Sequence, residues 1–234
     1  MSYNYSSDLS PSKRFNYIGG HLLKIILALF IIQLIRASLM LGLWWGIKPG
    51  DNLILFQAIN GLSIFLVGLG LLLYFKPTLK DLSLNWDDIK LRSKLIYTFL
   101  GVILLTLIIL PLGWANALEM AVMNLTFGLI VPAFEELLFR GYLWIKVQNK
   151  LENCEIERHR VWTLIIITLF FSIWHMGYVD VFLIHPLRVD IGMLLISKIG
   201  IGLVLGLITG IIRLKTNKVY GSFLFHAFWN IFAP

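Results

Sequence analysis

Residues 52–75 read NLILFQAINGLSIFLVGLGLLLYF, a run that contains no Asp, Glu, Lys or Arg. A helix needs about 20 consecutive apolar residues to cross the hydrocarbon core of a bilayer, so this run is long enough to span it. Closed β-barrels are the only other spanning solution, and the sequence lacks the short alternating strands that they need. The run therefore predicts a transmembrane α-helix.

The rest of the chain has the same character. Of its 234 residues 58% are apolar and only 14% are charged, against about 25% charged in soluble domains. Hydropathy predicts spans near Leu22–Gly46, Asn52–Phe75, Leu95–Ala115, Ala117–Trp144, Val161–Tyr178, Ile191–Ile212 and Val219–Ala233. The predicted fold class is all-α, a polytopic transmembrane helix bundle of about seven spans.

Lys and Arg residues alternate between the two sides of this predicted bundle. Fourteen of the 20 lie in the N-terminal tail and in the loops after spans two, four and six, whereas the opposite loops hold only Lys48 and Arg188. Basic loops stay cytoplasmic, so we expect a cytoplasmic N-terminus. We divide the chain into a cytoplasmic tail (1–21), three helices with an interfacial or solvated loop (22–115) and a C-terminal membrane core (116–234).

The net charge of +7 does not indicate nucleic acid, because the basic residues form no continuous patch. We expect membrane lipid as a partner, because so much of the chain is apolar. The single cysteine, Cys154, in a predicted polar loop, excludes a disulfide framework and a thiolate metal site.

Span four carries three ionisable residues, Glu135, Glu136 and Arg140. Each charge near the bilayer centre costs about 2.5–3.5 kcal/mol on insertion scales, so such residues usually have a function. Glu136 and Arg140 are four residues apart and can pair on one helix face. Glu135 is turned about 100° away, which leaves it available as a general base. A purely structural ion pair with a spare carboxylate is the alternative.

Two further spans present polar groups at helical spacing. Phe171 and His175 share one face of span five, so the phenyl ring can pack against the imidazole. His226 and Asn230 likewise share one face of span seven. Imidazole and carboxamide groups can donate hydrogen bonds to a developing oxyanion. Either histidine can instead be a hydrogen-bonded structural residue, and Asn230 can join helices.

The sequence also allows other functions for these residues. Two carboxylates and two histidines satisfy the ligand count of zinc, but no His-Glu-x-x-His signature is present, so we favour a metal-free site with no cofactor. Buried carboxylates would also suit a proton-coupled transporter. Glycines 202, 206 and 210 in span six predict close helix packing.

Together, Glu135-Glu136-x-x-x-Arg140, Phe171-x-x-x-His175 and His226-x-x-x-Asn230 resemble the motifs of the CPBP family of membrane proteins. That family includes the CAAX prenyl proteases and bacteriocin-processing enzymes, and the resemblance covers about half of the chain, from Ala117 onward.

The resemblance implies a metal-independent intramembrane glutamic endopeptidase in the plasma membrane of a prokaryote, with residues 116–234 as its catalytic core. Its partner would be its substrate, a membrane-associated or prenylated peptide or protein. The resemblance also implies Glu135 as base with His175 as its partner, and His226 with Asn230 as oxyanion donors. Glu136, Arg140 and Phe171 would support the site. The alternative within the family is a non-catalytic bacteriocin immunity protein or membrane scaffold.

Overall fold

The computed structural model describes residues 11–110, 117–184 and 190–232, with side chains from Arg14 onward. These residues contain seven helices and no β-strand, which confirms the predicted all-α class. The helices are α1 (Pro11–Ile47), α2 (Leu53–Phe75), α3 (Leu91–Ile109), α4 (Ala117–Asn153), α5 (His159–Leu183), α6 (Ile191–Thr216) and α7 (Tyr220–Phe232).

Six of the seven helices, α1 to α6, are long and apolar enough to cross a membrane. The seventh has 13 residues, or about 20 Å at 1.5 Å per residue, which is too short for the predicted seventh span. Large apolar side chains are exposed along the long helices, among them Leu73 at 65% and Phe99 at 66%. Lipid contact accounts for such exposure, and the chain is an integral, multi-pass membrane protein.

Several helix ends differ from the predicted spans. Helix α1 begins at Pro11, within the segment predicted as the tail, and α4 continues beyond Trp144 to Asn153. Cys154, predicted to lie in a polar loop, is fully buried directly after α4. The end of predicted span three and Ala233 lie outside the described residues, as does Arg188. The orientation of the N-terminus stays a prediction.

Helix α4 contains two π-helical segments, Thr126–Ile130 and Leu137–Leu143. Pro132 lies just after the first one and has no N–H to continue the α-helical pattern. The Trp144 N–H bonds the carbonyl of Phe139, five residues earlier, at the end of the second. Such segments often occur at functional sites, and here the two flank the α-helical turns that carry Glu135 and Glu136.

The predicted glycine face of α6 packs against α5. A Cβ built on Gly202 would lie 3.1 Å from the Cα of Ser172, and one on Gly210 would lie 2.4 Å from a methyl group of Leu164. Side chains larger than hydrogen would push the two helices apart. The packing prediction for Gly202, Gly206 and Gly210 is confirmed.

The loop between α2 and α3 packs against the protein rather than extending into solvent. Ser83 is 4% exposed, and its hydroxyl accepts a hydrogen bond from Arg213 of α6 at 2.8 Å. The Tyr220 hydroxyl, at the start of α7, donates to the carbonyl of Leu84 at 2.5 Å. The loop therefore holds the ends of α6 and α7 together.

Candidate active site

Glu136 and Arg140 form the predicted ion pair, with both side chains fully buried and 3.1 Å between Nη1 and Oε1. Arg140 also donates to the carbonyl of Gly206 at 3.1 Å, and its guanidinium lies 4.0 Å from the centroid of the Phe171 ring. The glycine face of α6 thus provides more than packing, because the backbone of Gly206 is an acceptor at the site.

His226 connects α7 to both acids of α4. Its Nδ1 is 3.0 Å from Oε1 of Glu136, and its Nε2 is 3.7 Å from Oε2 of Glu135. A carboxylate is an acceptor, so Nδ1 carries the proton that it donates to Glu136. The other nitrogen, Nε2, therefore faces Glu135.

Glu135 is 1% exposed and makes contacts different from those of Glu136, as the helical spacing predicts. Its Oε1 accepts hydrogen bonds from Trp174 Nε1 at 3.0 Å and from the Tyr178 hydroxyl at 2.7 Å. Its Oε2 has no hydrogen-bond partner among the described residues. One carboxylate oxygen is thus held by two donors and the other is available.

Trp174 and Tyr178 were not among the site residues predicted from the sequence. Their spacing of four residues places both on one face of α5, beside His175. That spacing was the available signal, but aromatic residues with polar tips are common in membrane helices for other reasons.

His175 begins a short 3-10 turn, His175–Tyr178, within α5. Its Nδ1 is 2.7 Å from the carbonyl of Phe171, so Nδ1 donates and Nε2 of the neutral ring is an acceptor. The Phe171 ring packs against the His175 ring, as predicted, with centroids 4.7 Å apart, and its centroid also lies 5.8 Å from that of the His226 ring. The predicted partnership of His175 with Glu135 stays a prediction, since no hydrogen bond joins the two in the described structure.

Asn230 lies one turn after His226 and joins α7 to α4. Its Nδ2 donates to the carbonyl of Phe127 at 3.0 Å, within the first π-helical segment. One N–H of the carboxamide is therefore used for helix packing, and the second N–H is available for a ligand.

Among the described residues, no three or more His, Cys, Asp or Glu side chains are arranged to hold a metal ion. Within the site, Oε1 of Glu136 is bonded to Arg140 and to His226. Any metal that used this oxygen would have to displace one of these bonds.

A family model described as type II CAAX prenyl endopeptidase Rce1-like matches residues 117–232, which contain α4 to α7 and every site residue described above. No curated protein and no solved structure matches the chain.

Proposed function

Residues 117–232 of this chain belong to the Rce1-like family of type II CAAX prenyl endopeptidases, and we propose that the chain is an intramembrane endopeptidase in which Glu135 activates the hydrolytic water. The observation that carries the proposal is the asymmetry of the Glu135 carboxylate. Trp174 and Tyr178 donate to Oε1, while Oε2 is buried without a hydrogen-bond partner among the described residues and lies 3.7 Å from Nε2 of His226.

In the proposed reaction, a water donates one hydrogen bond to Oε2 of Glu135 and a second to Nε2 of His175. As the water oxygen bonds to the peptide carbonyl carbon, its proton passes to Glu135. Collapse of the tetrahedral intermediate breaks the C–N bond, and Glu135 returns the proton to the leaving amine.

His226 and Asn230 are the proposed donors to the oxyanion. Nδ1 of His226 is bonded to the Glu136 carboxylate at 3.0 Å, so the oxyanion would accept its hydrogen bond from an Nε2–H of the same ring. Asn230 adds its second amide N–H. Because these donors are held before the reaction, they need no reorganisation as the negative charge develops. Glu136 and Arg140 keep His226 in place.

We propose a substrate with an isoprenoid chain, and an apolar groove beside the site supports this. The groove has a volume of about 360 Å³, within the range of about 300–1,000 Å³ that ligand pockets occupy. Its walls come from α1, α2 and α4. Phe134, in its wall, packs on Trp174 with ring centroids 5.9 Å apart, so the groove adjoins the indole that bonds Glu135.

The decisive experiment compares the wild type with Glu135→Gln in lipid nanodiscs, with a farnesylated peptide as substrate. Glutamine keeps an oxygen to accept from Trp174 and Tyr178, so the variant should fold, but it cannot take a proton from water. We expect cleavage to disappear. Glu119→Gln, which changes another acid of the same helix, should cleave normally.

Cleavage by Glu135→Gln at the wild-type rate would refute the assignment of the base. The same assay with a chelator tests the proposed independence from metal. If the chelator abolished wild-type cleavage and added zinc restored it, the metal-free mechanism would be wrong while the endopeptidase proposal would stand.

A further inference from the structure

Helix α1 lies outside the family-matched residues, yet it contributes a fully buried charge beside the site. Arg36 is 0% exposed and forms an ion pair with Asp180 of α5, which is 6% exposed. A buried ion pair in a membrane domain is costly to form, because both charges lose their hydration. Its position therefore needs an explanation.

Arg36 and Gln33 also bind the backbone of the 3-10 turn. Arg36 donates from Nη2 to the carbonyl of Gly177 at 2.9 Å, and from Nε to Oε1 of Gln33 at 2.7 Å. Gln33 in turn donates to the carbonyl of Trp174 at 3.0 Å. The two side chains thus hold the turn at both ends.

The approach of α1 to this turn is very close. A Cβ added to Gly177 would lie 2.5 Å from Cδ of Gln33. A larger residue at position 177 would therefore collide with the Gln33 carboxamide in its present position. Short 3-10 turns have poorer hydrogen-bond geometry than α-helices. Contacts from outside the turn are therefore needed to fix its conformation.

The turn determines where the donors to Glu135 lie. Tyr178 ends it, and its hydroxyl donates to Glu135, while the Arg36 guanidinium lies 4.7 Å from the centroid of the Tyr178 ring. Trp174, whose carbonyl accepts from Gln33, directly precedes the turn and donates from its indole to the same carboxylate.

We infer that Gln33 and Arg36 are positioning residues, which hold the turn His175–Tyr178 so that Trp174 and Tyr178 fix the orientation of Glu135. The inference rests on the proposed function of Glu135. It assigns to α1, outside the family-matched region, a direct part in the geometry of the site.

The test replaces the buried ion pair by apolar residues of similar size, Arg36→Met with Asp180→Leu. Such replacements are often neutral or stabilising, so the double variant should fold. We expect kcat to fall roughly tenfold or more, the effect of one charge-assisted hydrogen bond, with KM nearly unchanged. A matched control, Arg14→Gln with Glu155→Gln, removes an exposed ion pair of α1 (2.9 Å) away from the site and should keep full activity.

A double-mutant cycle tests whether Arg36 affects catalysis through Tyr178. If Arg36 acts through Tyr178, adding Tyr178→Phe to the double variant should cost little beyond the larger of the two separate effects. Fully additive losses would overturn the inference, as would unchanged kcat in the double variant.

Hydrogen exchange in nanodiscs tests the same inference without catalysis. Residues 175–183 should exchange faster in the Arg36→Met, Asp180→Leu variant, while α6 stays as protected as in the wild type. Unchanged exchange in the turn, or a loss of protection throughout the bundle, would overturn the positioning role. If the wild type cleaved no peptide, only the proposed function would fail, because exchange would still decide whether α1 holds the turn.

Discussion

Replacing Arg140 by Met should destabilise the bundle far more than replacing Arg140 and Glu136 together. The single substitution leaves the fully buried Glu136 carboxylate without its guanidinium partner. Breaking a buried pair in this way costs about 3–5 kcal/mol. The double substitution, Arg140→Met with Glu136→Gln, removes both charges and avoids that penalty.

Two other contacts of this ion pair also affect the expected loss in the free energy of unfolding. The Gly206 carbonyl loses the Arg140 donor that lies 3.1 Å away but keeps the Thr209 hydroxyl at 3.4 Å, so its loss adds little to the cost. In the opposite direction, His226 remains 3.0 Å from Glu136 and can supply a positive charge. We therefore expect a loss of about 3–5 kcal/mol in the free energy of unfolding for the single variant, and a smaller loss for the double variant.

The assay is reversible unfolding in mixed micelles of lipid and SDS, followed by circular dichroism. The control is Arg14→Met, which removes a pair whose acid, Glu155, is 60% exposed and which should contribute about 0–1 kcal/mol. A loss below about 1 kcal/mol for Arg140→Met, or a double variant as unstable as the single one, would refute the reasoning.

Two further predictions concern the close packing and the groove. Gly202→Ala should reduce cleavage, because its Cβ would lie 3.1 Å from the Ser172 Cα and 3.1 Å from Nδ1 of His175. The control is Gly200→Ala, whose Cβ would have no atom within 4 Å. Equal activity of the two variants would contradict this prediction. Ala28→Trp, which narrows the groove, should raise KM for a farnesylated peptide without lowering kcat, while Leu34→Trp, exposed on the same helix outside the groove, should have no effect. The check is steady-state kinetics in nanodiscs, and an unchanged KM for Ala28→Trp would argue against the groove as the isoprenoid site.

Local spacing in the sequence predicted the parts of the site that one helix contains. Glu136 with Arg140, and Phe171 with His175, are neighbours on one helix face, and the structure has both contacts. The separation of Glu135 from Glu136 follows from the same geometry. Such contacts are predictable because the helix alone determines which side chains meet.

Contacts between distant helices could not be predicted in this way. Arg36 and Asp180 are 144 positions apart. Arg36 lies inside the first predicted span and Asp180 two residues after the fifth, and nothing in either segment indicates the other as its partner. Asn230 bonds a backbone carbonyl, a partner that leaves no trace in residue types. The hydrogen bonds of Trp174 and Tyr178 depend on the rotation of α5 relative to α4, which is set by tertiary packing.

The π-helical segments give α4 a property that its composition does not show. Each contains the equivalent of one extra residue in a helix, which turns everything that follows by about 100° relative to an unbroken α-helix. Beyond the second segment, Trp144, Val147 and Leu151 are buried in the core. The number of residues in the segment Leu137–Leu143 thus sets the angle around the helix axis between this apolar stripe and the two glutamates. The number of residues in this segment is therefore constrained separately from its side chains. Losing one residue after Arg140 would turn the stripe out of the core while leaving Glu135, Glu136 and Arg140 in the chain.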